Sequence, residues 1–315
     1  MDLLSVIAPI FIIILIGFLC AKAKLLSVTT FAEMGRYVMY VALPAVIVKT
    51  LLTLDLAALF NPNYFISYIC ASLVTLGLGI VVFIALLKQP WPTTSVSVTG
   101  MVVPNSAFIG FPLLSQILAD PPLSGFAMAL IVENLIVVPI CFVLMDYHHS
   151  SSSSSLATKV WLVLKRSIKN PLLIAIVLGI VGNLAQITLP QVAQTTLDLL
   201  APSAVAVALF VIGGSLATVV LSETHWRAVT LTLMGKLVLH PLIAMAIGYA
   251  LLRDHPELFL TLVLITCVPM LSTFTVIGER YRQSAFCAST QLLTTLCSLL
   301  TIPLMVFLAH LLVKF

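Results

Sequence analysis

The chain consists of long runs of apolar residues separated by short polar stretches. A helix needs about 20 mostly apolar residues to cross the hydrocarbon core of a bilayer, and runs of that order follow one another along the whole sequence. They are continuously apolar and lack the alternation over about ten residues that is typical of transmembrane β-strands. The pattern predicts ten transmembrane helices: 3–21, 33–53, 64–87, 96–118, 124–146, 168–187, 197–220, 228–252, 257–279 and 285–313.

Two of the predicted helices carry an interrupting proline. Pro104 lies in predicted helix 4, within the segment 102–106, and Pro269 lies in predicted helix 9, within 267–271. Proline has no backbone N–H and clashes with the preceding turn, so it frees polar backbone groups that must face protein or a water-filled cavity. A matched pair of interrupted helices in two halves of a chain indicates a transporter's binding site.

The composition also indicates an integral membrane protein. Hydrophobic residues make up 61% of the chain and charged residues 8%, whereas soluble domains carry about a quarter charged residues. The mean hydropathy is +1.19. The first apolar segment opens with Met1 and Asp2 and lacks a basic leader, so we interpret it as a retained helix and not as a signal peptide.

The positions of the lysines and arginines predict the orientation. Cytoplasmic connections carry an excess of these residues. If the odd-numbered connections are cytoplasmic, only Arg253 and Lys314 lie outside. The inside set is then Lys22, Lys24, Arg36, Lys88, Lys159, Lys165, Arg166, Lys169, Arg227, Arg280 and Arg282. This predicts a protein of the plasma membrane (the inner membrane of a bacterium), with both termini outside and the central linker cytoplasmic. The net charge of +4 reflects this topology and predicts no nucleic-acid partner.

The chain divides into two similar halves. We predict one five-helix repeat over 1–147, a polar linker over 148–167 and a second repeat over 168–315. Proline and glycine motifs recur in the same order in the two halves, for example Pro9 with Gly17 and Pro171 with Gly179. Because five is an odd number, the second copy must enter the membrane with the opposite orientation. Such an inverted repeat is the architecture of many secondary transporters.

The sequence predicts no metal site, cofactor or enzymatic activity. The six cysteines lack a Cys-x-x-Cys spacing, and the pair His148-His149 has no further ligands near it. Acidic residues are too few and too far apart for a metal cluster, and no phosphate-binding loop of the Walker type is present. Transport is therefore predicted to be driven by a gradient.

Several segments resemble the auxin efflux carrier family. They are Arg36-Tyr37-Val38 with Ala42-Leu43-Pro44, Pro104-Asn105 with Gly110 to Leu114, Glu279-Arg280-Tyr281, and Ile302-Pro303-Leu304. The family includes the plant PIN auxin exporters and bacterial malonate or malate permeases. The chain also resembles, more distantly, the bile acid:sodium symporters, which share the ten-helix inverted-repeat plan.

The resemblance implies an elevator-type mechanism. Helices 1, 2, 6 and 7 would form a scaffold and a homodimer contact, and helices 3 to 5 with 8 to 10 would form a mobile transport domain. The broken helices 4 and 9 would cross within that domain and bind an organic anion. We expect mono- or dicarboxylates, with malonate or malate favoured. A sodium-coupled organic anion symporter of the bile-acid type and a non-transporting membrane sensor are the alternatives.

The residues at the breaks are suited to bind a carboxylate without a cation. Broken helices expose N-terminal backbone N–H groups, and the Asn105 amide can add a donor, although asparagine also caps helices. At the second break Met270 stands where the plant carriers have a polar residue, which predicts an asymmetric site that relies more on the first break. The expected substrate-binding residues are Pro104, Asn105, Ser106, Pro269, Met270 and Ser272.

A few ionisable groups lie deep in predicted membrane helices, where they are costly and often functional. Glu133 lies in helix 5, and Lys236 and His240 lie one turn apart in helix 8. The hypotheses are a proton-linked support site, a charged wall of the substrate cavity, or a static buried pair. Asn134 and Gln291 could add oxygen ligands if the coupling ion were Na⁺ instead of H⁺.

Overall fold

The computed structural model of this chain describes residues 3–54, 60–118, 123–147, 161–162, 165, 168–219 and 225–313. These residues are helical and contain no β-strand. The helices are α1 Leu3–Lys22, α2 Val28–Leu51, α3 Pro62–Leu86, α4 Trp91–Val102, α5 Ser106–Ile117, α6 Leu123–Asp146, α7 Pro171–Leu184, α8 Gln191–Leu216, α9 Trp226–Leu251, α10 Pro256–Cys267, α11 Phe274–Arg280 and α12 Ser284–Leu312. Most of the predicted linker, including His148-His149, and the charges of Lys159, Arg166 and Lys314 lie outside the described residues.

Within the described residues, six helices are long and apolar enough to cross a membrane: α2, α3, α6, α8, α9 and α12. Shorter apolar helices include α5, α7 and α10. The prediction of ten spans in two inverted repeats stays a prediction. Some predicted starts were wrong, because α2 begins at Val28, α4 at Trp91 and α8 at Gln191. These helices begin with polar residues that the hydrophobic pattern does not include. At α2, for example, the N-cap Ser27 accepts a hydrogen bond from the Thr30 N–H.

Several helices contain a π-turn, which the hydrophobic pattern did not predict. The π-turns are Val38–Ala42, Val82–Leu86, Ser106–Gly110, Glu133–Val137 and Gly235–Leu239. A proline stands two residues after four of them, at Pro44, Pro112, Pro139 and Pro241. A proline disturbs the carbonyl four residues before it, which here always lies inside the π-turn. The wider turn accommodates that carbonyl, and such turns are frequent at functional sites.

The chain forms two compact units. Unit 1 comprises residues 1–61, 106–130 and 168–218. Its helices α1 and α8 pack at backbone distance, because Gly17 faces the Phe210 carbonyl and Gly213 faces the Ile14 carbonyl. The end of α2 is fixed by Asn183 of α7, whose Nδ2 donates to the carbonyls of Leu51 and Leu54, both at 2.8 Å. Small residues and a side-chain cap thus hold this unit together.

Unit 2 comprises residues 62–105, 131–167 and 219–315. The short helices α4 and α10 form its core, since every residue over 93–102 and 258–267 is buried. The surrounding helices include α3, α9 and α12. Both interrupting prolines, Pro104 and Pro269, belong to this unit and lie directly after its two core helices.

Candidate functional site

The two helix breaks lie side by side in the core of unit 2. Pro104 and Met270 form an antiparallel bridge. In this bridge the Asn105 N–H donates to the Pro269 carbonyl at 2.8 Å, and the Leu271 N–H donates to the Val103 carbonyl at 3.3 Å. Backbone groups that the helices release at one break are therefore satisfied by the other.

The local sequence explains why both helices stop where they do. A residue before proline avoids the helical region because of the proline ring. Val103 precedes Pro104 and has φ −94° and ψ 106°, and Val268 precedes Pro269 and has φ −70° and ψ 156°. Both are extended, which is the conformation that the bridge requires.

Five of the six predicted substrate-binding residues belong to unit 2, and four of them form this bridge: Pro104, Asn105, Pro269 and Met270. The fifth, Ser272, is joined to Asn105 by a side-chain hydrogen bond of 2.7 Å from Nδ2 to Oγ. Asn105 is 4% exposed and Met270 is 1% exposed. Ser106 is buried at the start of α5 and belongs to unit 1.

Gln291 lies at the second break, where its hydrogen bonds join it to Ser272 and Thr275. Its Nε2 donates to the Ser272 carbonyl at 3.1 Å, and its Oε1 accepts from Thr275 Oγ1 at 2.8 Å. An amide therefore reaches the second break from α12 even though position 270 is methionine.

The predicted carboxylate in unit 2 has a partner that the sequence analysis missed. Glu133 is buried in the π-turn of α6 and accepts a hydrogen bond of 2.6 Å from the Tyr68 hydroxyl. Tyr64 and Tyr68 stand four residues apart on α3, with their rings nearly perpendicular and their centroids 6.4 Å apart. Two tyrosines four residues apart on an apolar helix are the feature of the sequence that could have indicated a partner for Glu133. Asn134 follows Glu133 in the same π-turn and is partly exposed.

Lys236 and His240 are fully buried on α9 and make contacts of their own. Lys236 Nζ donates to the Thr266 carbonyl at 3.1 Å and lies 3.5 Å from His240 Nδ1. The other ring nitrogen of His240 lies 3.3 Å from Ser72 Oγ on α3. Among the ion pairs of the described residues, none joins Glu133 directly to Lys236.

An acidic residue at the end of α6 fixes the end of α11. Asp146 Oδ1 accepts from the Tyr281 hydroxyl at 2.6 Å and from Arg280 Nη2 at 3.2 Å. Both donors belong to the segment Glu279-Arg280-Tyr281 that carries part of the family resemblance. The contact joins the C-terminal ends of α11 and α6.

A cavity of about 160 Å³ lies next to the bridge, between α4, α6 and α11. It is lined by Thr99, Val103, Val138, Cys141, Phe142, Met145, Leu271, Thr273 and Ile277. Val103 and Leu271 also form one hydrogen bond of the bridge, so the cavity and the crossing share a wall. Among the described residues, no group of three or more His, Cys, Asp or Glu side chains could hold a metal ion.

Comparison with known proteins assigns the family. A comparison with curated proteins finds no match. The family model Mem_trans, described as "Membrane transport protein", matches residues 3–306. This match covers nearly the whole chain, and with the six helices that are long and apolar enough to span a membrane it describes an integral membrane protein of a transporter family. The chain therefore belongs to the auxin efflux carrier family.

Proposed function

We propose that this chain is a secondary transporter of small organic anions, mono- or dicarboxylates, with malonate and malate favoured. The observation that carries the proposal is the bridge between the two breaks, with the Asn105 amide directly beside it. The substrate carboxylate binds at this crossing.

The crossing offers donors that do not need a cation. Asn105 Nδ2 carries two N–H groups, and one of them donates to the Ser272 hydroxyl, so the amide can bind a carboxylate while Ser272 holds it. Hydrogen bonds to an ionised carboxylate are about twice as strong as neutral ones, so this contact favours binding.

The size of the cavity supports a small substrate. Pockets for drug-sized ligands measure roughly 300–1,000 Å³. The cavity beside the bridge measures about 160 Å³, which suits a molecule of a few carbon atoms better than a bile acid. This difference favours malonate, malate and similar acids over the large amphipathic anions of the alternative.

The composition of the two units supports an elevator-type mechanism. Unit 1 contains α1, α2, α7 and α8, which correspond to the predicted scaffold helices, together with α5 and the start of α6. Unit 2 contains α3, α4, α9 to α12 and the rest of α6. We propose that unit 2 carries the bound anion across the membrane.

We further propose that unit 1 forms a homodimer. Its helix α7 exposes a row of large apolar residues on one side, namely Ile174, Val177, Leu178, Val181 and Leu184. Their spacing of three and four residues marks one helix face. Such a face suits contact with a second copy inside the membrane. In the proposed membrane orientation, both termini lie outside and the central linker is cytoplasmic.

The contacts in unit 2 favour transport coupled to a proton gradient over transport coupled to a sodium gradient. In transporters with broken helices, carbonyls at the C-terminal ends of half-helices coordinate sodium ions. At the end of α10 the Thr266 carbonyl already accepts a hydrogen bond from Lys236. Because the lysine occupies this carbonyl, we propose that Glu133, Lys236 and His240 support proton-coupled transport.

Uptake into proteoliposomes tests the proposed function. Malonate and malate should accumulate when a proton gradient is imposed, and a sodium gradient should have no effect. A bile acid and an amino acid serve as comparison substrates. Accumulation that follows sodium would support the symporter alternative, and the absence of any carboxylate uptake would support a sensor.

Substitution of Glu133 by glutamine should remove the response to the proton gradient. The glutamine keeps the size of the side chain and an acceptor for Tyr68, but it cannot exchange a proton at neutral pH. Uptake by downhill exchange of malonate should persist, because no gradient is needed there.

The matched control for this substitution is Glu279→Gln, which removes an exposed carboxylate at the end of α11. Its gradient response should equal that of the wild type. If Glu133→Gln keeps the full response to the imposed gradient, Glu133 has no part in coupling.

A further inference from the structure

Gln291 is a buried glutamine on α12 whose amide is engaged at both ends. It is 6% exposed. The oxygen accepts from the Thr275 hydroxyl, and the nitrogen donates to the Ser272 carbonyl. A carbonyl can only accept, so the contact with Ser272 fixes the orientation of the amide. The side chain therefore joins α12 to two positions just beyond the second break.

Ser272 connects this glutamine to Asn105. The Ser272 carbonyl is held by Gln291, while its hydroxyl oxygen accepts from Asn105 Nδ2 at 2.7 Å. Hydrogen bonds of Ser272 therefore connect α12 to the first break. Met270 lies in the bridge with 1% exposure and has no amide that could hold Ser272 in this way.

We infer that Gln291 is a positioning residue for the substrate: it supplies the second break with an amide and, through Ser272, orients the Asn105 amide toward the carboxylate. The inference rests on the proposed function and adds a residue that the sequence grouped with ion coupling. It makes substrate affinity, and not the response to an ion gradient, the property that Gln291 controls.

The physical basis is that an Asn105 amide with more rotational freedom binds the carboxylate more weakly. Without Gln291, the Ser272 carbonyl loses a buried donor, and the segment between the bridge and α11 loses a hydrogen bond to α12. The Asn105 amide then binds the carboxylate from a wider range of orientations, which weakens binding. The loss of one neutral hydrogen bond corresponds to a factor of about 3 to 10 in affinity.

The test measures malonate binding to the purified full-length protein by isothermal titration. Gln291→Leu should raise the dissociation constant for malonate by about 3- to 10-fold. Thr275→Val, which removes only the hydroxyl that holds the glutamine oxygen, should cause a smaller rise. This milder variant carries the test if Gln291→Leu does not fold.

A double substitution separates positioning from a general loss of stability. Ser272→Ala removes the hydroxyl that accepts from Asn105 but keeps the carbonyl that accepts from Gln291. If Gln291 acts through that hydroxyl, Gln291→Leu with Ser272→Ala should bind malonate no more weakly than the weaker single variant. If Gln291 had only a structural role, its loss would lower the thermal midpoint of unfolding. The losses of malonate affinity in the two single variants would then add in the double variant.

The matched control is Ser298→Ala on the same helix. The Ser298 hydroxyl is buried and bonds only to the carbonyl of Thr295 within α12. Its affinity for malonate should equal that of the wild type. Wild-type affinity in both Gln291→Leu and Thr275→Val, or additive losses in the double variant, would overturn the inference alone. A wild-type protein that binds no carboxylate would overturn the proposed function as well.

Discussion

Asn105→Ala is expected to weaken malonate binding by about 10- to 100-fold, which corresponds to the loss of a hydrogen bond to a charged group. The alanine leaves the bridge intact, because the backbone N–H of residue 105 still reaches the Pro269 carbonyl. It removes the side-chain amide beside the crossing. The dissociation constant, measured by titration calorimetry on the purified protein, checks this result.

Asn183→Ala is the matched control for this substitution. Asn183 is also an asparagine with a structural contact, since it caps the end of α2 through Leu51 and Leu54 in unit 1. Its loss should lower the thermal midpoint and leave the affinity for malonate unchanged. Equal affinities of wild type and Asn105→Ala would place the carboxylate somewhere other than the crossing.

Gly213→Ala is expected to destabilise the protein by about 1 to 3 kcal/mol, the usual cost of forcing extra atoms into a packed interface. A Cβ at this position would meet the Ile14 carbonyl and the Phe18 N–H of α1, which are backbone atoms and cannot rotate away. The two helices would have to separate along their contact. The thermal midpoint of the detergent-purified protein measures the effect.

Gly77→Ala provides the opposite result from the same chemical change. Gly77 lies in α3, and a Cβ there would meet no atom within 4 Å. Alanine is a better helix former than glycine by up to about 1 kcal/mol, so this variant should be as stable as the wild type or more stable. If both alanines lowered the midpoint equally, close packing of α1 and α8 could not be the cause.

The positions of the helix breaks could be predicted from sequence because proline acts locally. Pro104 and Pro269 each remove a donor and push the preceding valine out of the helical region, whatever surrounds them. That the two breaks bond to each other depends on the tertiary fold, and the repeat and the family resemblance suggested only that the broken helices meet. Met270 illustrates the limit, since its side chain predicts an apolar half-site and its backbone forms half of the bridge.

The amide of Gln291 could not be placed from sequence. It lies 19 residues beyond Ser272, after the turn between α11 and α12, and nothing in the pattern of α12 distinguishes this polar residue from its neighbouring serines and threonines. Grouping it with Glu133 and Lys236 was reasonable by polarity alone. Its partners instead depend on where α12 packs against α11.

The ionisable residues were recognised, but their contacts were not. Burial in an apolar helix identifies Glu133 and Lys236, because such groups are costly to keep there. The sequence cannot show that a tyrosine from α3 donates to one and that a helix-terminal carbonyl accepts from the other. Both residues lie in π-turns, and the prolines that follow, Pro139 and Pro241, are a signal that could have been used.

The bridge between the two breaks also determines how the core of unit 2 can open. Its two hydrogen bonds join segments 165 residues apart, counted from Pro104 to Pro269. Neither break can unravel alone, because losing one bond leaves a buried donor or acceptor of the other segment without its partner. Local unfolding there is therefore a single cooperative event, and this part of the membrane protein behaves like the smallest possible β-sheet, with one residue per strand.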